Sequence, residues 1–190
     1  MAPSVTEDHG GIHSRATTAA GVYGMRTPGV EIADNASVIL GPNSELQPDV
    51  ILRLTPECGG QTVVVNHHLT GAPELVVEVS VGTETTDLGG KKRDYQRAGV
   101  QEYVVVLVRH RQAVWFENLD GEFVERAPDP DGVYRSRRFP GFWLDPLALL
   151  ERDGPRLLAV LQQGLDSPEH AAFVAELAVR RAASTTPAGP

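Results

Sequence analysis

The chain has 190 residues, of which 41% are apolar and 22% charged, and this predicts one globular domain over residues 1–182 and a disordered tail over 183–190. No stretch has the length of a membrane span, no signal peptide is visible, and the single cysteine, Cys58, excludes an internal disulfide and indicates a reducing, cytoplasmic setting. The net charge of −8 weighs against strong non-specific binding of nucleic acid, although basic residues cluster at 91–93, 109–111 and 135–138.

The first part of the chain predicts one helix followed by short strands. The helix is expected over about 7–23, where glycines and threonines weaken the pattern. Apolar runs at 30–33 and 37–40 predict a hairpin around the Asp-Asn pair between them. A strand follows at 49–54. The segment after it is expected to leave the sheet, with a short strand at 62–65.

The middle of the chain predicts a strand, a helix and a second strand. Residues 75–79 are continuously apolar except for one acid, which is typical of a strand covered on both faces. A helix is expected from Thr86 or Asp87 to Ala98, ended by Gly99.

The predicted elements after this helix are a strand at 102–109, a hairpin of 112–118 with 122–126, and a segment at 139–144 that closes the sheet region. The core of the domain is expected to span about 26–150, and amphipathic C-terminal helices are expected over about 146–182. Strands interleaved with one central helix predict a mixed α/β fold, in which the strand–helix–strand unit carries the site.

Glu78 is an acid inside an apolar strand, where an unpaired carboxylate would cost several kcal/mol. It either pairs with a buried cation such as Lys91 or binds a metal, and the residues alone leave both open. Asp49 is a second carboxylate at the start of an earlier strand. Next to Pro48 it is also an ordinary turn residue. Two carboxylates that converge at strand ends would form a site for a hard divalent cation.

Lys91 lies four residues after Asp87 on the predicted helix, a spacing that by itself gives a helix-stabilising pair. Because the helix follows the Glu78 strand through a short loop, its first turn is expected to return near the strand end. Lys91 would then reach the same cleft, with Tyr95 one turn further along on the same face.

Two other combinations of residues have the composition of a site. His9 and His13 share a helix face at metal-ligand spacing, but no third ligand is evident, and solvated histidines are the favoured interpretation. Ser80 with Lys91 would resemble an acyl-transfer dyad, yet no nucleophile elbow surrounds Ser80.

The candidate residues occur within an ordered series of motifs. The series is Pro48-Asp49, residues 73–80 with Glu78, residues 87–91 with Lys91, Tyr95, Gly99-Val100, Glu102-Tyr103 and residues 139–144. From about 48 to 150 this series resembles the Uma-type restriction endonuclease family of the PD-(D/E)XK nuclease superfamily.

The resemblance implies a restriction-endonuclease-like fold, a central mixed β-sheet flanked by helices, with the site at one sheet edge. It implies Asp49 and Glu78 as ligands of Mg²⁺, with Mn²⁺ as a possible substitute, and the backbone carbonyl of Val79 as a further ligand. The superfamily lysine two residues after the acid is replaced by Ser80. Lys91 matches the position on the following helix to which this family moves it.

The function implied is hydrolysis of DNA by metal-activated water, with Lys91 stabilising the phosphorus centre or positioning the nucleophile. Ser80, Asp87 and Tyr95 are expected to support the site, and a homodimer is expected because double-strand cutting needs two sites. The helix acid that often completes such sites has Glu7 and Glu31 as candidates. The alternative is a catalytically degenerate module that binds nucleic acid or protein and uses Glu78 and Lys91 as a structural ion pair.

Overall fold

The computed structural model describes residues 6–42 and 44–185. The α-helices are α1 Glu7–Arg26, α2 Lys92–Ala98, α3 Pro146–Leu150, α4 Gly154–Leu165 and α5 Pro168–Thr185. The strands are β1 Val30–Asp34, β2 Val38–Gly41, β3 Ser44–Leu46, β4 Val50–Leu54, β5 Val63–Val65, β6 His68–Thr70, β7 Leu75–Ser80, β8 Glu102–Leu107, β9 Gln112–Leu119, β10 Glu122–Arg126, β11 Tyr134–Arg135 and β12 Trp143–Leu144. Each of these helices is either too short or too polar to cross a bilayer.

A six-stranded mixed sheet forms the centre of the fold, in the order β1-β4-β7-β8-β9-β10. Strands β7 and β8 are parallel, and the other neighbouring pairs are antiparallel. A parallel pair needs a crossover connection, and here α2 provides it. The predicted mixed α/β class and its strand–helix–strand unit are therefore confirmed.

Strand β7 is buried along its whole length because both faces of the sheet are covered. Leu75, Val77 and Val79 pack into the larger apolar cluster with α1, whereas Val76 packs on the opposite face with Tyr95 of α2. Side chains alternate along a strand, so Glu78 lies on the α2 face. An acid in this strand is thus placed against a helix rather than against water.

Helix α1 is positioned by its N-cap and by a stripe of small residues. The Thr6 hydroxyl accepts a hydrogen bond from the backbone N–H of His9, and Ile12, Ala16 and Ala19 are buried at helical spacing. Alanines at this interface let the helix backbone approach the sheet closely. As a result α1 contacts β4 and β7, and its first turn lies near the start of β4.

The hairpin predicted from the runs at 30–33 and 37–40 is wrong. Strand β1 pairs with β4, whereas β2 belongs to a separate four-stranded sheet in the order β3-β2-β6-β5. Val38 of β2 is buried against Leu69 of the same sheet and against Ile51 of β4 in the central sheet. Ile51 lies on the β4 face that α1 does not cover, so burial of this face outweighs the local turn signal.

The helix between β7 and β8 begins where it was predicted, but with wider turns. Residues Thr86–Lys91 form π-helical turns, and α2 continues to Ala98. Gly99 ends the helix in the left-handed region at φ 93°, as expected of a glycine C-cap. Strand β8 ends at Leu107, and the residues predicted to extend it form a short 3₁₀ turn at Val108–His110.

The C-terminal part differs from the prediction at two places. The segment at 139–144 does not join the central sheet, because β12 pairs with β11 in a two-stranded sheet covered by α4. Helix α5 continues to Thr185, so the first residues of the predicted disordered tail are helical, and residues 186–190 lie outside the described part of the chain.

Gly164 is the contact point between α4 and the segment before β12. A Cβ at this position would lie 2.2 Å from the carbonyl oxygen of Gly141, so Gly164→Ala is expected to destabilise the fold by about 1–3 kcal/mol, as other overpacking substitutions do. Gly10→Ala in α1 is the matched control. No described heavy atom lies within 4 Å of a Cβ there, and the change is expected to stabilise the protein by up to about 1 kcal/mol. Urea unfolding followed by circular dichroism compares the two, and equal stabilities would contradict this packing.

Candidate active site

Asp49 just before β4, Glu78 on β7 and Lys91 on the helical turns after β7 line one cleft of about 260 Å³, together with Val79 and Asp87. We call it the β7 cleft. Strand β4 runs antiparallel to β7, with Val50 opposite Val77, so the start of β4 lies beside the carboxyl end of β7. This register brings Asp49 next to Glu78. The π-helical turns that follow β7 then carry Asp87 and Lys91 to the same end of the sheet.

The Glu78 carboxylate is buried, and both of its oxygens have partners. The Tyr95 hydroxyl donates to Oε1 at 2.8 Å, and the ammonium Nζ of Lys91 lies 3.0 Å from Oε2. Burial raises the pKa of Glu78 to about 7, against the opposing effect of Lys91 and with a further upward contribution from Asp49. This carboxylate therefore titrates near neutral pH.

Lys91 is held between two acids, with its Nζ 3.0 Å from Glu78 and 3.2 Å from Asp87. Burial alone would lower its pKa, but the attraction of the two carboxylates exceeds this effect, and the net pKa is raised. Because its pKa is raised, the ammonium is charged, and the side chain lines the cleft with 24% of its surface exposed.

Asp49 connects β4 to β7. Its Oδ2 accepts a hydrogen bond of 2.7 Å from the backbone N–H of Val79, and its Oδ1 lies 3.4 Å from Nε2 of His9. Its backbone carbonyl oxygen lies 3.1 Å from Nε2 of His13. The position of the carboxylate is thus fixed against the strand that carries Glu78.

A hydrogen-bonded group supports the helix end of the cleft. The hydroxyl of Thr83 donates to Oδ2 of Asp87 at 2.5 Å and lies 3.1 Å from the hydroxyl of Ser80. The hydroxyl of Tyr103 donates to the carbonyl oxygen of Asp87 at 2.9 Å. Ser80 contacts the site through Thr83. The sequence did not indicate Thr83, because a threonine in a polar loop carries no distinguishing signal.

The interpretation of His9 and His13 as solvated residues without a third ligand is wrong. Both are partly buried, and potential ligand atoms of His9, His13 and Asp49 all lie within 4.8 Å of one another. The signal lay in α1, where both histidines flank Ile12 on the stripe that faces the sheet.

The two acids proposed to complete the site do not line the β7 cleft. Glu7 forms an exposed ion pair with Arg152, and Glu31 pairs with Arg53 across β1 and β4. Among the described residues, His9 of α1 and its N-cap residue Thr6 line this cleft.

The donor set of the β7 cleft fits a hard divalent cation. Carboxylates of Asp49, Glu78 and Asp87 face one ammonium, that of Lys91, so the fully ionised cleft carries an excess of negative charge. Val79 also lines the cleft. Carboxylate and carbonyl oxygens are the ligands that Mg²⁺ takes, and an ion there would offset both the burial of the Glu78 charge, which is the main cause of its raised pKa, and the smaller repulsion from Asp49.

Comparison with known protein families matches residues 1–149 to Uma2, described as "Putative restriction endonuclease". The chain belongs to this family. Membership confirms the resemblance seen in the sequence and indicates a nuclease-like function, with nucleic acid as the suggested substrate.

A similar fold occurs in a solved structure from Anabaena variabilis ATCC 29413, described as "a putative nuclease belonging to DUF820". The two share 13% sequence identity with a TM-score of 0.61, over 78% of this chain and 84% of that one. At this identity the likeness concerns the fold alone, and it confirms the predicted fold class. A search of curated proteins found no match.

Proposed function

We propose that this Uma2-family protein is a metal-dependent endonuclease that hydrolyses phosphodiester bonds in DNA, with Asp49, Glu78 and Lys91 as its catalytic residues. The observation that carries the proposal is the convergence of these three side chains on one cleft. Two acids can hold a catalytic ion, and a lysine beside them can stabilise the charge that develops on the phosphate.

Asp49, Glu78 and the carbonyl of Val79 would hold Mg²⁺, or Mn²⁺ in its place. A bound ion of this kind polarises the phosphoryl group and lowers the pKa of its water. The Lys91 ammonium is placed to bind a phosphate oxygen or to orient the attacking water. Because its position is already fixed in the folded protein, it would stabilise the transition state without any rearrangement of the site. Tyr95 orients Glu78, and Asp87 orients Lys91 with help from Thr83 and Ser80.

The direct test is cleavage of supercoiled plasmid and of single-stranded DNA by the purified protein with Mg²⁺ or Mn²⁺. Nicked or linear product is expected with either ion, and a chelator should abolish it. Product that forms equally in the presence of the chelator would exclude the metal-dependent mechanism.

Two exposed arginines beside the β7 cleft support DNA as the substrate of this acidic protein. Arg109 and Arg111 line a depression that shares Thr6 and Val81 with the cleft. Both arginines follow β8 and are exposed. We propose that these guanidinium groups contact phosphates of DNA that is bound in the cleft.

Removing these arginines is expected to weaken DNA binding. The variant with both Arg109→Ala and Arg111→Ala should bind a fluorescent duplex at least about tenfold more weakly at low salt, and the slope of log K against log salt should fall by about one for each phosphate that is no longer neutralised. Fluorescence anisotropy with Ca²⁺ in place of Mg²⁺ measures this. Arg97→Ala, on the far end of α2 and 77% exposed, is the control, and an equal loss of affinity there would point to overall charge instead.

The alternative function is a nuclease-fold module that binds nucleic acid or protein without cleaving. The observation behind it is the close ion pair between Lys91 and Glu78, which gives both side chains a structural role without a metal ion. Binding of DNA without cleavage under any divalent ion, with no divalent ion bound, would support this alternative.

The proposal includes a homodimer, a cytoplasmic setting and a single domain over 1–182. Leu158 of α4 and Val179 of α5 leave apolar surface exposed on the C-terminal helices, where a second copy would bury it. Light scattering should give twice the chain mass of 20.5 kDa, and a monomer at micromolar concentration would exclude the dimer.

A further inference from the structure

His9 faces the same cleft as the two proposed metal-binding acids. It lies in the first turn of α1, and its Nε2 is 3.4 Å from Oδ1 of Asp49. Its side chain is 21% exposed, so the ring borders the cleft without being freely solvated. An imidazole in this place adds a nitrogen donor to a set of oxygen donors.

The separation of 3.4 Å suits a shared ion better than a direct hydrogen bond. Hydrogen bonds between a charged donor and a carboxylate are about 2.7–2.9 Å long. Two ligand atoms that are each about 2.1 Å from one ion lie roughly 3.0–3.4 Å apart, depending on the coordination number. The other ring nitrogen, Nδ1, is buried and has no hydrogen-bond partner among the described residues.

His13 differs from His9 in having its ring nitrogen engaged. Its Nε2 lies 2.6 Å from the carboxylate of Asp34 and 3.1 Å from the carbonyl oxygen of Asp49. Its ring packs edge-on against that of His9, with the centroids 5.5 Å apart. The Nε2 of His13 is therefore already engaged, while its ring packs against that of His9.

We propose that His9 is a nitrogen ligand of the ion held by Asp49 and Glu78, and that the site consequently prefers Mn²⁺ or Co²⁺ to Mg²⁺. This inference rests on the proposed function. Imidazole nitrogen binds first-row transition ions well, whereas Mg²⁺ takes oxygen ligands and water. Within the described part of the chain, His9 occupies the place on α1 where an acid was expected.

Pulsed electron paramagnetic resonance of Mn²⁺ bound to the full-length protein tests the ligand directly. The spectrum should contain the modulation of a coordinated nitrogen, and His9→Ala should lose it while His68→Ala, an exposed histidine on β6, keeps it. Calorimetry should show that His9→Ala raises the Kd for Mn²⁺ by about tenfold or more and changes the Kd for Mg²⁺ far less.

A second variant guards against misfolding. His9→Asp puts an acid in the first turn of α1, where it favours the helix, and should bind Mn²⁺ without the nitrogen signal and with a relative gain for Mg²⁺. The inference is overturned if the wild-type spectrum lacks coupled nitrogen, or if both variants bind Mn²⁺ as the wild type does. Failure of the proposed function gives a different result, because Asp49→Ala and Glu78→Ala would then leave metal binding unchanged.

Discussion

Replacing Lys91 by methionine is expected to lower kcat for DNA cleavage by about 10²–10³-fold, the usual cost of removing one preorganised charge from a transition state. Methionine keeps much of the apolar stem and removes the ammonium that lies 3.0 Å from Glu78. The Kd for Mn²⁺ should not rise, because the lysine competes with a cation for the same carboxylate. Quantitative plasmid cleavage and calorimetry measure the two effects separately.

Lys92→Met is the matched control for this experiment. Lys92 is the next residue in the chain, but its Nζ lies 3.7 Å from the centre of the Phe116 ring, away from the β7 cleft. Its removal should change kcat by less than about twofold, as expected for a charge outside the site. Equal reductions of kcat in the two variants, or a Lys91→Met protein that cleaves normally, would remove Lys91 from the mechanism.

The second large effect concerns pH and the binding of divalent ions. Because the pKa of Glu78 is raised to about 7, this carboxylate is largely protonated below neutral pH, and an ion must displace that proton. The Glu78 proton alone is therefore expected to lower the apparent affinity for Mn²⁺ by up to about tenfold for each pH unit below 7, and this contribution should level off above it. Calorimetry between pH 5.5 and pH 8.5 (both chosen as roughly one and a half units from the pKa) measures this dependence.

The same group makes the apo protein less stable as the pH rises. The folded state retains the Glu78 proton up to about pH 7, whereas the unfolded chain releases it near the ordinary value of 4.5, so stability falls across that window. Relative to Glu78→Gln, which cannot ionise, the wild type should lose on the order of 3 kcal/mol between pH 4.5 and pH 7. Saturating Mn²⁺ should offset this loss in the wild type above pH 7 and should stabilise the variant, which lacks one of the proposed ligands, less. Parallel pH profiles for the two proteins would contradict a buried, raised-pKa Glu78.

The fold was predictable where the local pattern and the burial agree. An apolar run interrupted by a single acid indicated β7 correctly, and the glycine after Ala98 indicated the end of α2. The pairing of β2 was not predictable. Its position depends on covering Ile51, a requirement that arises only once β4 lies in the sheet with α1 on its other face.

The site shows the same division between local and long-range information. Glu78 and Lys91 are close in sequence, and a strand followed by a helix determines how they meet. His9 was missed because its place beside Asp49 depends on the packing of α1 over the start of β4, which no local motif encodes. The supporting role of Thr83 depends likewise on a loop conformation.

A crystal structure of the protein soaked in Mn²⁺, with anomalous scattering to locate the ion, tests the central claim most directly. We expect an anomalous peak in the β7 cleft within about 2.3 Å of carboxylate oxygens of both Asp49 and Glu78. The ammonium of Lys91 should remain beside it. A cleft without a peak at saturating Mn²⁺, with the ion pair between Glu78 and Lys91 unchanged, would contradict the account and leave these residues with a structural role.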